Sequence, residues 1–182
     1  MQAVLIVAGL VIATGTLVAI LWSIAHPERR LWPPKRYTNA TPFLVWVPTF
    51  TLFGILIVLG IMSWGSLPIP TRLRFGAGIP LIFVGNVIAW SEVMQFGIDQ
   101  TGGAKGSLRT DGMYRYSRNP QYVADIAMIV GWIVLCASSG AALIGLAAIA
   151  VLIAAPFAEE PWLKLQYGSA FEAYLATVRR FL

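Results

Sequence analysis

The sequence predicts an all-α integral membrane protein with about five transmembrane helices and a C-terminal amphipathic helix. Of its 182 residues, 58% are hydrophobic and only 12% are charged. The mean hydropathy of +0.74 is typical of membrane proteins and not of soluble domains. In addition, several apolar runs reach the length of about 20 residues that a helix needs to cross a bilayer.

The apolar runs divide into five predicted spans. Three separate runs each predict one transmembrane helix, and they are residues 3–25, 43–64 and 75–94. A further run, residues 122–157, would form a helix of about 54 Å, which exceeds a hydrocarbon core of about 30 Å. The Ser-Ser-Gly sequence at 138–140 predicts a turn within this run. We therefore expect a tight hairpin of two spans, at 122–137 and 140–157.

The distribution of basic residues predicts the orientation in the membrane. Segments 26–42, 97–121 and 158–182 hold 11 of the 13 lysines and arginines, and the positive-inside rule places such segments in the cytoplasm. The N-terminus is then expected outside. Contact of these segments with anionic lipid accounts for the net charge of +5. The expected partner is therefore a membrane and not a nucleic acid.

Cysteine and histidine are too rare in this chain for several kinds of chemistry. Each occurs once, as Cys136 and His26. An intrachain disulfide is impossible, and a metal site, a zinc peptidase and a Ser-His-Asp hydrolase are not expected. The chain also has no internal repeat and no low-complexity linker, so residues 1–182 are expected to form one membrane domain.

The segment between the third and fourth predicted spans, residues 97–121, is longer and more polar than a simple connector requires. Its arginines, tyrosines and glycines are typical of a site that binds an anion or a nucleotide. The glycine cluster at 102–106 lacks the Gly-x4-Gly-Lys-Ser/Thr spacing of a phosphate-binding loop. We expect this cluster to be either a flexible connector or a lid that closes over a ligand.

Two polar motifs flank the predicted hairpin. Before it, the Asn-Pro step at 119–120 favours an extended residue followed by the first turn of a helix. An ordinary helix start, with tyrosine and arginine anchors at the membrane interface, would show the same sequence pattern. After the hairpin, Glu159 and Glu160 could be a favourable acidic helix N-terminus. Two adjacent acids at the end of a span are nevertheless unfavourable without a cationic partner, for which Arg118 and Arg180 are candidates.

These motifs resemble two signatures of the isoprenylcysteine carboxyl methyltransferase and phospholipid methyltransferase superfamily. The first, Gly-x-Tyr-x3-Arg-His-Pro-x-Tyr, is matched at Gly112, Tyr114, Arg118, Pro120 and Tyr122. Asn119 stands in place of the histidine and cannot titrate near neutral pH. The second, Glu-Glu-x2-Leu-x4-Gly-x2-Tyr-x2-Tyr-x3-Val-x-Arg, is matched at Glu159, Glu160, Gly168, Tyr174, Val178 and Arg180, with Phe171 at the first tyrosine. The resemblance covers residues 75–182.

The resemblance implies an integral-membrane enzyme that transfers a methyl group from S-adenosylmethionine at the cytoplasmic membrane interface. The acceptor would be a lipid or another hydrophobic molecule that carries a carboxylate or an amine. Loop 97–121, the ends of the last spans and the C-terminal helix would hold the cofactor. The candidate cofactor contacts are Gly112, Tyr114, Asn119, Pro120, Tyr122, Asp125, Glu159 and Glu160. Of the two glutamates, Glu160 is the first choice for the ribose hydroxyls or the amino group.

Arg118 and Arg180 are the candidate catalytic residues, because a guanidinium can hold a carboxylate or a phosphate on the acceptor. Arg118 could instead serve only as an anchor of the fourth span. An amine acceptor would require a nearby carboxylate, such as Glu92 or Asp125. Asp125 lies one helical turn after Tyr122 on the same face, and it either contacts a ligand or forms a hydrogen bond between helices.

Two flanking segments and two rival functions complete the interpretation. Residues 26–36 are basic, aromatic and proline-rich, which predicts either a membrane anchor or a cover for the site. Residues 161–180 predict an amphipathic helix that lies on the membrane surface. The rival functions are a non-enzymatic membrane assembly or transport subunit and a nicotinamide-dependent reductase of the related sterol-reductase type. The first rival leaves the two paired motifs unexplained, and the short chain without extra spans argues against the second.

Overall fold

The computed structural model describes residues 1–97, 104 and 106–182. The long helices of the described chain are α1 (Gln2–Ala25), α2 (Thr41–Met62), α3 (Ile79–Phe96), α4 (Pro120–Cys136) and α5 (Ser139–Tyr167), and a short helix, α6 (Ser169–Thr177), follows α5. One α-helical turn at Thr71–Leu73 and a π-helical turn at Arg74–Gly78 lead directly into α3. The described residues contain no β-strand, and the predicted all-α fold is confirmed.

The helices have the length and surface of a membrane protein. In the described chain, those long and apolar enough to cross a membrane are Gln2–Ala25, Thr41–Met62, Thr71–Gln95 and Ser139–Tyr167. Helix α4 is also apolar but has only 17 residues. Large apolar side chains such as Val4 and Phe43 are 70% exposed. An apolar surface of this extent is expected to contact lipid.

Successive long helices run in opposite directions, so that α1, α3 and α5 end where α2 and α4 begin. We call this end of the bundle the site end. The central core comprises residues of α2, α4 and α5, namely Ile55, Leu56, Leu59, Ile129, Ile144 and Ala148. Helix α1 packs against α5, where a Cβ atom added to Gly9 would lie 3.1 Å from the Ile144 side chain.

Glycines bring α3 and α4 close together. A Cβ atom added to Gly78 would lie 2.9 Å from the carbonyl oxygen of Gly131, and one added to Gly131 would lie 2.8 Å from that of Gly78. Small residues permit this kind of backbone approach between membrane helices. Helix α2 also contacts α4, but in the described structure α2 and α3 do not pack closely on each other. The space between them contains the candidate site.

The predicted hairpin is present, and it turns at Ala137 and Ser138. Ala137 has a left-handed φ of 48° at the end of α4. The Ser138 hydroxyl oxygen then accepts a hydrogen bond from the backbone N–H of Ala141 at 3.1 Å and so caps the start of α5.

The far end of the hairpin differs from the prediction. A span ending at 157 and a separate helix over 161–180 were expected, but α5 continues unbroken to Tyr167. Gly168, with a φ of 55°, then ends α5, and α6 covers only Ser169–Thr177. The apolar run marks where a helix leaves the hydrocarbon and not where its backbone hydrogen bonds stop. As a result, the glutamate pair lies inside α5.

Candidate active site

A cavity of about 960 Å³ lies between α2 and α3 and extends over α4 to the site end. Between α2 and α3 its lining is mainly apolar and aromatic, and includes Trp46, Phe50, Phe83 and Trp90. At the site end, polar side chains of the loop before α4, the start of α4 and the end of α5 line it. Small-molecule sites commonly measure roughly 300–1,000 Å³, so the cavity can hold a cofactor-sized ligand.

Glu159, near the end of α5, is held from two directions. Its Oε1 atom accepts a hydrogen bond from the Tyr122 hydroxyl at 2.5 Å and another from Trp32 Nε1 at 2.7 Å. Within the described chain, no hydrogen bond reaches its Oε2 atom. All three residues line the cavity. The carboxylate is therefore fixed through one oxygen, and the other is free to bind a ligand.

Asp125 lines the same cavity one turn further along α4 than Tyr122, as the helical spacing predicts. Neither a hydrogen bond nor an ion pair joins its carboxylate to another described residue. The alternative of a hydrogen bond between helices therefore has no support among the described residues. Asp125 is positioned to interact with a molecule in the cavity.

Glu160 lies in different surroundings, because it forms ion pairs with two arginines. Arg118 Nη2 donates to its Oε1 atom at 2.7 Å, and Arg180 Nη2 donates to its Oε2 atom at 2.6 Å. The side chains of Arg118 and Glu160 are only 11% and 15% exposed. The hydrogen bonds that Arg180 donates to Glu160 also raise the pKa of Arg180. The predicted pairing of the glutamate with these arginines is confirmed.

Arg118 also binds the backbone that follows α6. Its Nη1 atom donates to the carbonyl of Val178 at 2.5 Å, and its backbone N–H donates to the carbonyl of Arg179 at 2.9 Å. Arg118 lines the cavity. Its Nε atom is buried and has no hydrogen-bond partner among the described residues. Most of the guanidinium is thus occupied by the protein itself.

Asn119 extends this connection. Its Nδ2 atom donates to the carbonyl of Arg180 at 2.9 Å, so the amide serves as a donor to the C-terminal backbone. We call Arg118, Asn119, Glu160 and residues 178–180 the C-terminal clamp. The clamp joins the loop before α4, the end of α5 and the segment after α6, and its Arg118 and Asn119 side chains also line the cavity.

Helix α6 closes against the same loop through Tyr174. The Tyr174 hydroxyl donates to the carbonyl of Tyr114 at 2.7 Å. Burial raises the pKa of Tyr174 to about 12, and burial likewise raises the pKa of Tyr114. Both phenols therefore remain protonated at neutral pH. Their side chains line the cavity, where they supply uncharged hydroxyl groups and aromatic surface.

The predicted site residues fall into two groups. Those that line the cavity are Tyr114, Arg118, Asn119, Tyr122, Asp125 and Glu159. Those that do not line it are Gly112, Pro120, Glu160 and Arg180. Gly112 is exposed and begins a 3₁₀ turn with a φ of 56°, and Pro120 is the buried first residue of α4. These two therefore shape the backbone, whereas Glu160 and Arg180 belong to the clamp.

Other residues lie where the sequence did not firmly predict them. Trp32 and Pro33 line the cavity. Of the two expectations for segment 26–36, this part of it therefore fits the cover for the site better than the membrane anchor. Glu92 is buried, with 2% of its surface exposed, but it does not line the cavity. Of the glycine cluster at 102–106, only Ala104 and Gly106 are among the described residues. The prediction of a connector or lid therefore falls largely outside the described chain.

Residues 73–170 match the phospholipid methyltransferase family. This range contains the whole first motif, the glutamate pair and most of the cavity-lining residues of α3, α4 and α5. No curated protein and no solved structure matches the chain. Because the matched residues make up more than half of the 182, the chain belongs to the phospholipid methyltransferase family, a group of membrane methyltransferases within the superfamily that its two motifs resemble.

Proposed function

We propose that this protein transfers a methyl group from S-adenosylmethionine to a lipid or another hydrophobic acceptor at the cytoplasmic face of the membrane. The observation that carries the proposal is the composition of the cavity. It joins an apolar channel between two membrane helices to a polar end that contains two carboxylates without a cationic partner among the described residues. A hydrophobic acceptor and a polar cofactor can therefore meet in one site.

The residues at the site end fit this cofactor. The Oε2 atom of Glu159 and the carboxylate of Asp125 can accept hydrogen bonds from ribose hydroxyls or an amino group. The rings of Tyr114 and Tyr122 offer aromatic surface to a purine.

The charges around the cavity favour a cationic ligand. Arg109 pairs with Asp111 at 3.3 Å, and Arg118 pairs with Glu160 at 2.7 Å. Asp125 and Glu159 have no such partner in the described chain, so the carboxylates of the cavity outweigh its cations. When bound, S-adenosylmethionine supplies a methyl group on a positively charged sulfur, and the acceptor atom displaces that sulfur in line. Carboxylates near this charge would favour its binding.

The same charges favour an amine over a carboxylate as the methyl acceptor. An ammonium group is attracted to Asp125, whereas an acceptor carboxylate would be repelled by it. An ammonium must also lose a proton before its nitrogen can attack, and the Asp125 carboxylate is the proposed proton acceptor. The remaining task of the protein is to orient the reactants and to exclude water.

The acceptor is proposed to reach the site sideways from the lipid. Phe50 of α2 and Phe83 of α3 line the cavity and are nevertheless 54% and 68% exposed at the helix surface. The cavity therefore opens between these helices. Its lining on α2 extends from Val45 to Ile57, a rise of about 18 Å at 1.5 Å per residue. That length accommodates a substantial part of a lipid chain.

The contacts of the two arginines favour positioning over direct chemistry. Arg118 touches the cavity but uses its Nη atoms within the clamp. Arg180 does not line the cavity, and it stacks on the Phe157 ring at 3.8 Å while it binds Glu160. We therefore propose that Arg180 acts only through Glu160, and that Arg118 acts mainly by holding the clamp in place beside the cavity.

Incorporation of a labelled methyl group into membrane lipid tests the proposal. Membranes that contain the protein are incubated with S-adenosylmethionine labelled at the methyl carbon, and the lipids are then extracted. We expect labelled lipid with the natural protein and much less with Glu159→Gln. Mild alkali should release no volatile labelled methanol, because it hydrolyses a methyl ester and leaves an N-methyl group on the head group. Absence of label in any lipid would contradict a lipid acceptor.

A further inference from the structure

Trp32 lies outside the matched residues 73–170, yet its indole reaches a carboxylate of the candidate site. Its Nε1 atom donates to Glu159 Oε1 at 2.7 Å across 127 positions of the sequence. The following residue, Pro33, is almost completely buried and also lines the cavity. The connection between α1 and α2 therefore forms part of the cavity wall.

The backbone of Trp32 is held in place by a buried serine at the end of α1. Ser23 is only 2% exposed, and its hydroxyl oxygen accepts hydrogen bonds from the N–H groups of Leu31 at 2.9 Å and Trp32 at 3.0 Å. The same hydroxyl donates to the carbonyl of Ala19 at 2.7 Å. Arg30 Nε also donates to the carbonyl of Pro33 at 3.0 Å, which closes the turn.

Indole and phenol together determine how Glu159 is presented. Trp32 and Tyr122 both donate to Oε1, so rotation of the carboxyl group would break two hydrogen bonds. Because an indole N–H can only donate, Trp32 fixes Oε1 as the oxygen turned to the protein. The other oxygen, Oε2, remains without a partner among the described residues and is the one left for a ligand.

We infer that Trp32 is a positioning residue, which orients Glu159 for binding of the cofactor and forms the wall of the cavity on the side of α1. This inference rests on the proposed function, since it assumes that Glu159 contacts S-adenosylmethionine or its product. It adds to that function a contribution from the N-terminal part of the chain, outside the matched family region. Trp32 contributes to the reaction only through Glu159.

A double-mutant cycle tests the inference through binding alone. Calorimetry measures the affinity of the purified protein in detergent for S-adenosylhomocysteine, with Trp32→Phe, Glu159→Gln and the double variant. Trp32→Phe keeps an aromatic ring but removes the donor, and we expect it to weaken binding about tenfold. In the Glu159→Gln background the same change should have little further effect, because the carboxylate oxygen that Trp32 turns toward the ligand is then absent.

A second variant and a matched control complete the experiment. Ser23→Ala leaves the indole intact but frees the backbone that carries it. Ser23→Ala alone should therefore also weaken binding of S-adenosylhomocysteine. Added to Glu159→Gln, it should weaken binding no further. Trp64→Phe, the same substitution at the opposite end of the bundle, should bind normally. Normal affinity of a folded Trp32→Phe protein would overturn the inference. Losses of binding free energy from Trp32→Phe and Glu159→Gln that are fully additive in the double variant would also overturn it. Failure of the unmodified protein to bind would instead contradict the proposed function and, with it, this inference.

Discussion

At the scale of single residues, we propose separate roles for the two adjacent glutamates near the end of α5. Glu159 lines the cavity and accepts hydrogen bonds from Trp32 and Tyr122. Glu160 lies outside the cavity wall and binds Arg118 and Arg180. We therefore expect one carboxylate to bind a ligand and the other to stabilise the fold.

Parallel substitutions should separate these roles. Glu159→Gln should weaken binding of S-adenosylhomocysteine by about 1–3 kcal/mol, the scale of losing a charged hydrogen-bond partner. Glu160→Gln leaves two arginines without their anion, so it should lower the thermal midpoint more and the affinity less. Calorimetry and thermal unfolding of both proteins in detergent check the expectation. Equal effects of both substitutions on affinity would contradict the division of roles.

Arg118 is the second residue whose role can be isolated. Arg118→Lys keeps the charge, but one ammonium group cannot reproduce the planar fork that binds Glu160 and the carbonyl of Val178 together. We expect turnover to fall by about tenfold or more and the affinity for S-adenosylhomocysteine to change less. The exposed neighbour Arg115 provides the control, because Arg115→Lys should behave like the natural protein. Full turnover by Arg118→Lys would reduce Arg118 to a membrane anchor.

At the scale of the elements, the break between α5 and α6 directs the C-terminus back to the site. Gly168 has a φ of 55° and a ψ of −132°, which side chains with a Cβ atom strongly disfavour. The chain can then turn so that α6 packs against the loop and residues 178–180 reach the clamp. The position of the clamp therefore depends on a single glycine.

Gly168→Ala tests this dependence. A Cβ atom at Gly168 meets no neighbour within 4 Å, so any penalty comes from the backbone conformation and should be about 1–3 kcal/mol. The protein should unfold at a lower temperature. Gly15→Ala, in the middle of α1 and equally free of neighbours, should be neutral or slightly stabilising, because alanine is the better helix former. Equal thermal midpoints for both variants would refute the expected strain.

At the scale of the whole molecule, the sequence predicted the helices well because membrane insertion depends on length and hydropathy. The predicted apolar runs fall on the long helices α1 to α5 of the described chain, and Ser138 marked the turn of the hairpin. The unfavourable energy of adjacent acids led to the correct pairing of Glu160 with Arg118 and Arg180. Local patterns of this kind can be predicted from the sequence, because they arise within one helix or from a charge that needs a partner.

The sequence did not predict where α5 ends or which face of α5 lies toward the cavity. The family resemblance put Glu160 before Glu159 as a cofactor contact, and nothing local distinguishes the two glutamates; in the structure Glu159 and not Glu160 lines the cavity. The continuation of α5 to Tyr167 determines which of them lies toward the cavity. The contact of Trp32 with Glu159 could not be predicted from the sequence either, since it joins residues 127 positions apart. Such contacts depend on the packing of α1 against α5.

The orientation in the membrane is a further property of the whole molecule, and the basic segments predict it. A single cysteine placed at Ser107, in a protein with Cys136→Ala, should resist an impermeant thiol reagent in intact cells and react after permeabilisation. Ser66→Cys, in the turn at the other end of the bundle, should react in intact cells. Reaction of the cysteine at 107 from outside would reverse the topology and place the site on the other face.

The central claim is that the cavity at the site end binds S-adenosylmethionine, and a comparison of ligands tests it most directly. Calorimetry of the natural protein in detergent measures binding of S-adenosylhomocysteine, with NADPH titrated under the same conditions. The arrangement of Glu159, Tyr122 and Asp125 predicts saturable one-to-one binding of S-adenosylhomocysteine, weaker binding by Glu159→Gln, and no binding of NADPH. Binding of NADPH without S-adenosylhomocysteine would contradict the claim and support a reductase.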